Sequence, residues 1–153
     1  AVKLQDKPMW LRAVILMSIA TALEFISGLL LKYGLGMQAW DYHANFMNLD
    51  GIICLQFSLA WAVIAYIICL LSPHLGRILM HLRNQKYHVF CTAMSIFLII
   101  NISMTAFALE RWSDRHYEPD EPTSKLARII DILTPDQWMQ NRFVEWQFLD
   151  STK

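Results

Sequence analysis

Twenty-two residues from Gly51 to Ser72 carry no charge. As a helix this run is about 33 Å long, which matches the hydrocarbon core of a bilayer. A helix apolar on every side needs either the centre of a large protein or a membrane. The 153 residues are enough for one ordinary domain, and a span of this length without charge points to the membrane. Two further runs point the same way. Val89 to Leu109 is free of charge, and Ala13 to Leu31 contains a single one, Glu24. One carboxylate near a span centre costs about 2.5 to 3.5 kcal/mol. The ten Val, Ile, Leu and Phe residues of that run each return roughly 0.3 to 0.6 kcal/mol, so insertion still wins.

The expected fold is an all-α integral membrane protein with three transmembrane helices and a mixed-charge helical C-terminal tail. The boundaries read as a transmembrane domain over residues 1–112, with spans at about 13–31, 51–72 and 89–109, and an extramembrane tail over 113–153. The lipid bilayer is then the first partner. Composition agrees: hydrophobic residues make up 56% and charged residues 17%, on the membrane side of soluble proteins. Lys plus Arg equals Asp plus Glu, 13 each, so no charge excess calls for a nucleic acid, and none is expected. Cys54, Cys69 and Cys91 all fall inside apolar runs without CxxC spacing. They read as small hydrophobes, and no structural disulfide is expected. The opening AVKLQDKPMWLR does not read as a signal peptide, because Asp6 and Pro8 precede the apolar run. Basic residues on the two sides of the spans balance closely, so the orientation stays open.

Between the spans, Gly34 and Gly36 are expected to break the first helix. Residues 32–50 form a long connection, a length typical of functional loops. Residues 74–88 read as a short basic link with an apolar stripe, lying on the membrane surface as a turn or two. Pro73 is expected to end the second span. In the tail, Thr123 or Ser124 should cap a helix over KLARIIDIL, and Thr134 and Pro135 should start a second one over PDQWMQNRFVEWQF. Its Trp138, Phe143, Val144, Trp146 and Phe148 are expected to dock onto the membrane domain or a partner.

Glu24 is the leading candidate for chemistry. It shares a face at helical spacing with Thr21, Ser27 and Gly28. An intramembrane carboxylate is either an ion, proton or coupling site, or a packing group bonded to Thr21, Asn101 or backbone. Both readings stand. Gln56 is the strongly polar side chain of the second span, and Asn101 of the third, where an interhelical hydrogen bond is the simplest role. Together Glu24, Thr21, Asn101 and Gln56 form the candidate transport or coupling set.

The second candidate is the loop cluster Trp40, Asp41, Tyr42, His43, Asn48 and Asp50. These types can hold a hard cation or a water network. Their spacing fits no metal loop, and the simpler reading is a hydrogen-bonded loop in which Asp50 caps the helix starting at Gly51. A membrane-embedded enzyme would need Asp41, His43 and Asp50 to converge on one cavity. His74, His81 and His88 recur every seven residues, about 10 Å apart on a helix, too far to share a metal. No P-loop, nucleophile elbow, dinucleotide fingerprint or zinc helix occurs. No enzyme activity, metal or cofactor is therefore expected.

The run LEFISGLLLKYGLGMQAWDYHANFMNLDGIICLQFSLAWAV resembles the C-terminal half of the putative ABC-transporter type IV permease family. That family has an E-Y-L-T-G-like run ending one span, then W-D-Y-S, F-N-L-N-G-R-I-C-L and S-L-x-W-G. The matches include Glu24, Gly28, Trp40, Asp41, Tyr42, Phe46, Asn48, Leu49, Gly51, Ile53, Cys54, Leu55, Ser58, Leu59 and Trp61. The tail is similar more loosely. His43 stands where the family has Ser, Asp50 replaces Asn, Met47 interrupts the F-N pair, Ala62 replaces Gly, and Ile52 takes the place of an Arg that could contact phosphate or carboxylate. The resemblance implies a permease-like or channel-like membrane subunit of a bacterial-type cell membrane. Three helices with polar faces call for further helices, from a second copy or another membrane subunit. A separate ATPase is compatible with the family, but nothing in the chain requires one. The alternative is a non-transporting anchor or regulatory subunit of a larger membrane complex.

Overall fold

A computed structural model describes residues 7–81, 85–118, 122 and 124–149. The fold is all-α. Its elements are α1 (Met9–Leu29), β1 (Met37–Gln38), α2 (Leu55–His81), α3 (Gln85–Tyr117), α4 (Lys125–Leu133), α5 (Asp136–Arg142) and β2 (Gln147–Phe148). Three helices are long and apolar enough to cross a membrane: Met9–Gly34, Leu55–Arg77 and Tyr87–Tyr117. The first of these includes a π-helical turn over Leu30–Gly34. The chain divides into two compact units, Ala1–Leu29 with Trp40–Tyr87, and Leu30–Ala39 with His88–Lys153.

In the first unit α1 and α2 run antiparallel. Small residues let them approach: Ala13 of α1 packs with Ala65 and Cys69 of α2, flanked by Met9 and Leu16. Close contact through small side chains is how helices associate in lipid, where apolar burial itself offers little drive. At the loop end Gly28 lies against Ile52, and a Cβ at Gly28 would collide with the Ile52 side chain. Gly28 is a required absence of side chain.

Two expected boundaries are corrected here. α2 begins at Leu55 and not at Gly51. Asp50 and Gly51 both lie in the left-handed region, at φ 56 and φ 67, so Asp50 is a turn residue and not an N-cap. α2 also passes through Pro73 to His81. A proline removes the N–H that would reach the carbonyl four residues earlier, here that of Cys69. The Ser72 hydroxyl donates to this Cys69 carbonyl at 2.9 Å, and the Arg12 guanidinium donates to Ser72 Oγ at 3.1 Å. A side-chain bond thus replaces the missing backbone bond, and the helix continues. The expected surface link over 74–88 is taken up by the ends of α2 and α3. Thr123, Arg83 and the side chains of His81 and Lys86 lie outside the described residues.

The second unit is built on α3, which runs beyond its apolar part to Tyr117. Ala108, Leu109 and Trp112 form a core with Met37, Ile130 and Met139. Phe143, Trp146 and Phe148 pack against that core, as expected of the tail aromatics, while Trp138 and Val144 stay exposed. Ser124 caps α4, accepting from the Ala127 N–H at 3.0 Å. α5 stops at Arg142, shorter than expected, and the chain returns so that β2 pairs antiparallel with β1, Met37 opposite Phe148. Charges fasten the same elements. Arg111 grips Asp131 with two bonds of 3.1 and 2.8 Å. Arg115 bonds to Asp131, to Asp136 at 2.7 Å and to the Thr134 carbonyl at 3.0 Å. The Arg111 hydrogen bonds hold the Asp131 carboxyl below its usual range, against the opposing effect of its burial.

Candidate functional site

Glu24 sits on α1, one turn before Gly28. The close passage of Gly28 brings the loop and the start of α2 to the same side of α1. Trp61 of α2 donates its indole N–H to Glu24 Oε2 at 2.9 Å. Tyr42 of the loop donates its hydroxyl to Oε1 at 3.3 Å. One carboxylate therefore ties α1, the loop and α2 together. Bonds to an ionised acceptor are about twice as strong as neutral ones. Burial first, and then the nearby Glu24 carboxylate, push the Tyr42 phenol up to about 12. The donor proton is firmly held. Among the described residues, no lysine, arginine or histidine pairs with Glu24.

The expected partners of Glu24 are not the observed ones. Thr21 shares its face, but its buried hydroxyl oxygen has no hydrogen-bond partner among the described residues. Asn101 lies on α3 in the second unit, exposed, with no interhelical bond to a described residue; Thr105 donates instead to the Asn101 carbonyl of its own helix, at 2.9 Å. Gln56 is exposed and accepts from Asn45 of the loop at 3.1 Å. Trp61 was missed as a site residue. Its signal was available: an indole N–H seeks an acceptor when partly buried, and Glu24 is the charged acceptor of α1.

The loop cluster is a folded turn. The Trp40 indole donates to the Ile52 carbonyl at 2.8 Å. Tyr42 stacks on Phe57 at 4.5 Å between centroids. Asn48 staples the loop: its amide donates to the carbonyls of His43 and Asn45 at 3.0 and 3.1 Å, and its oxygen accepts from the Gly51 N–H at 3.3 Å. Asp41 accepts from the His43 backbone at 2.8 Å and pairs with the His43 ring at 2.5 Å. Both side chains crowd Gly51 and leave no room for a Cβ, and its positive φ separately favours glycine. Asp41 and His43 are more than half exposed, at 57% and 55%. Among the described residues, no three His, Cys, Asp or Glu side chains gather as a metal set. Asn48 and Asp41 thus bind the loop's own backbone, Asn45 ties the loop to Gln56, and the folded loop sets the Tyr42 hydroxyl against Glu24.

Residues 1–106 match the model of a family described as putative ABC-transporter type IV. The match takes in α1, the loop, α2 and most of α3, and it ends before the tail. No curated protein and no solved structure matches the chain.

Proposed function

Because the chain belongs to the putative ABC-transporter type IV family, a membrane, transport-related subunit, we propose that it is a permease-like or channel-like subunit of a bacterial-type cell membrane that acts in an oligomer. Residues 1–112 would form its membrane part and 113–153 an extramembrane tail. Glu24 is the transport or coupling residue of this proposal, with Trp61 and Tyr42 as its positioning groups. One observation carries the reading. The carboxylate of a membrane span is held by two neutral donors, and its charge meets no cation among the described residues. Such a group is able to take a proton or a cation and to alter the α1–loop–α2 contacts as it does so. The Thr21 hydroxyl one turn away, without a partner among the described residues, adds a further oxygen to the same face.

A second reading has its own support. Both Glu24 oxygens are already engaged, which suits a structural clamp in a non-transporting anchor or regulatory subunit. The Glu24→Gln variant separates the two. The full chain is purified in detergent and reconstituted in vesicles holding a pH-sensitive dye, under imposed proton and potassium gradients. Size-exclusion chromatography reports assembly. Flux lost with assembly intact supports coupling at Glu24. Assembly lost, or flux unchanged, assigns Glu24 to the clamp.

A further inference from the structure

We propose that the groove between α3, α4 and α5 binds one acidic phospholipid, with an acyl chain along its apolar walls and the phosphate at Arg142. The cavity measures about 550 Å³, within the range of ligand sites. Its α3 wall includes Met104 and Ala108, both within the uncharged run 89–109. That wall belongs to the apolar length of a candidate span, so the groove is continuous with the lipid-facing surface of α3. The opposite wall, with Leu133 and Met139, comes from the tail helices. Asn101, Thr105 and Thr134 add polar groups to the walls. Met104, Ala108, Ile130, Leu133 and Met139 form the apolar stretch along which an acyl chain would lie.

Trp138 and Arg142 line the groove from α5. Indole rings favour the headgroup zone. An arginine presents a planar fork that matches phosphate oxygens. Arg111 and Arg115 of the same unit are committed to Asp131 and Asp136, whereas Arg142 pairs with no carboxylate among the described residues. α4 also presents Leu126, Ile129 and Ile132 outward at helical spacing, each more than half exposed. That apolar face, with Lys125 and Arg128 beside it in sequence, suits a helix lying at an anionic lipid surface.

The test uses the full chain in detergent, titrated with phosphatidylglycerol, phosphatidylcholine or inorganic phosphate, with the unfolding temperature as readout. Phosphatidylglycerol is expected to raise it, and the other two are not. Arg142→Gln should weaken the phosphatidylglycerol effect about tenfold, the worth of one charged hydrogen bond. A brominated phosphatidylglycerol should quench the wild type more than Trp138→Phe, because the quenched ring is the one lost. Stabilisation by phosphatidylcholine equal to that by phosphatidylglycerol overturns the acidic-lipid assignment. So does stabilisation by inorganic phosphate alone. Undiminished binding in Arg142→Gln, or equal quenching in Trp138→Phe, removes the site itself.

Discussion

The two units fasten their helices by different chemistry. In the first, a single carboxylate, Glu24, accepts from an indole and a phenol. In the second, two arginines and two aspartates interlock α3 with α4 and α5. The difference follows the solvent. In a span an ion is expensive, and an unmatched second charge would add to the cost. Neutral donors from aromatic rings supply hydrogen bonds while burying mostly apolar surface. Arg111 and Arg115 follow the uncharged run 89–109 and are largely shielded, so carboxylates match them, and bidentate geometry adds specificity. The tail network matches each arginine with a carboxylate, whereas among the described residues the Glu24 carboxyl is met by neutral donors.

Breaking each fastening sharpens the contrast. The largest loss should come from Asp131→Ala, which removes the two-bond partner of Arg111, leaving it Asp114, and leaves Arg115 with Asp136 and the Thr134 carbonyl, both arginines being largely buried at 12% and 18% exposure. Removing one partner of a largely buried pair costs on the order of 3 kcal/mol. Limited proteolysis should then cut at α4 and α5 while α1 and α2 stay intact. Next comes Gly28→Ala. The new methyl meets Ile52, and overpacking costs about 1 to 3 kcal/mol. Adding Ile52→Ala should recover part of the loss, so the double variant is non-additive; a strictly additive sum in thermal unfolding would deny the contact. Trp61→Phe removes one donor from Glu24 and should cost about 1 to 2 kcal/mol. Tyr42→Phe, which loses the longer bond of 3.3 Å, should cost less.

The smallest effects are those of pH, and they have opposite signs in the two units. Asp131 has a folded pKa below its ordinary 3.8. Its contribution is present above that value and is lost as pH falls through the lower folded pKa. Tyr42 has a folded pKa raised from 10.0 to about 12. Its contribution is complete below pH 10 and is lost as pH rises through about 12. Acid should loosen the tail unit and alkali the α1–α2 unit. An ultraviolet titration in which one tyrosine ionises late, and does so no longer in Tyr42→Phe, checks the second.

Much of this was legible from residue order. Two runs with no charge and one with a single carboxylate, each of a bilayer's length, read as membrane helices, so the three spans and the all-α class were legible, and the family resemblance came from loop and helix residues such as Trp40, Asp41, Tyr42, Asn48 and Gly51. Glu24 stood out because a charge there is costly. Ser124 was legible as a cap for the same kind of local reason: its oxygen reaches a backbone N–H three residues on. The errors were also local in origin. Asp before Gly looks like a cap, but both residues turned out to be left-handed, and the helix starts later. Pro73 looks like a stop, but Ser72 supplies the bond that proline cannot.

The tertiary structure decided what touches what. Glu24 and Trp61 lie 37 residues apart, and no periodicity within one helix relates them. They meet because Gly28 admits Ile52 and because Asn48 holds the loop in a shape that aims Tyr42. Met37 and Phe148, far apart in the chain, pair likewise within the second unit. Sequence determined which segments leave water, since transfer from water is a property of each segment alone. Partner choice between segments depends on shape and on the geometry of hydrogen bonds, which exist only once the helices have packed.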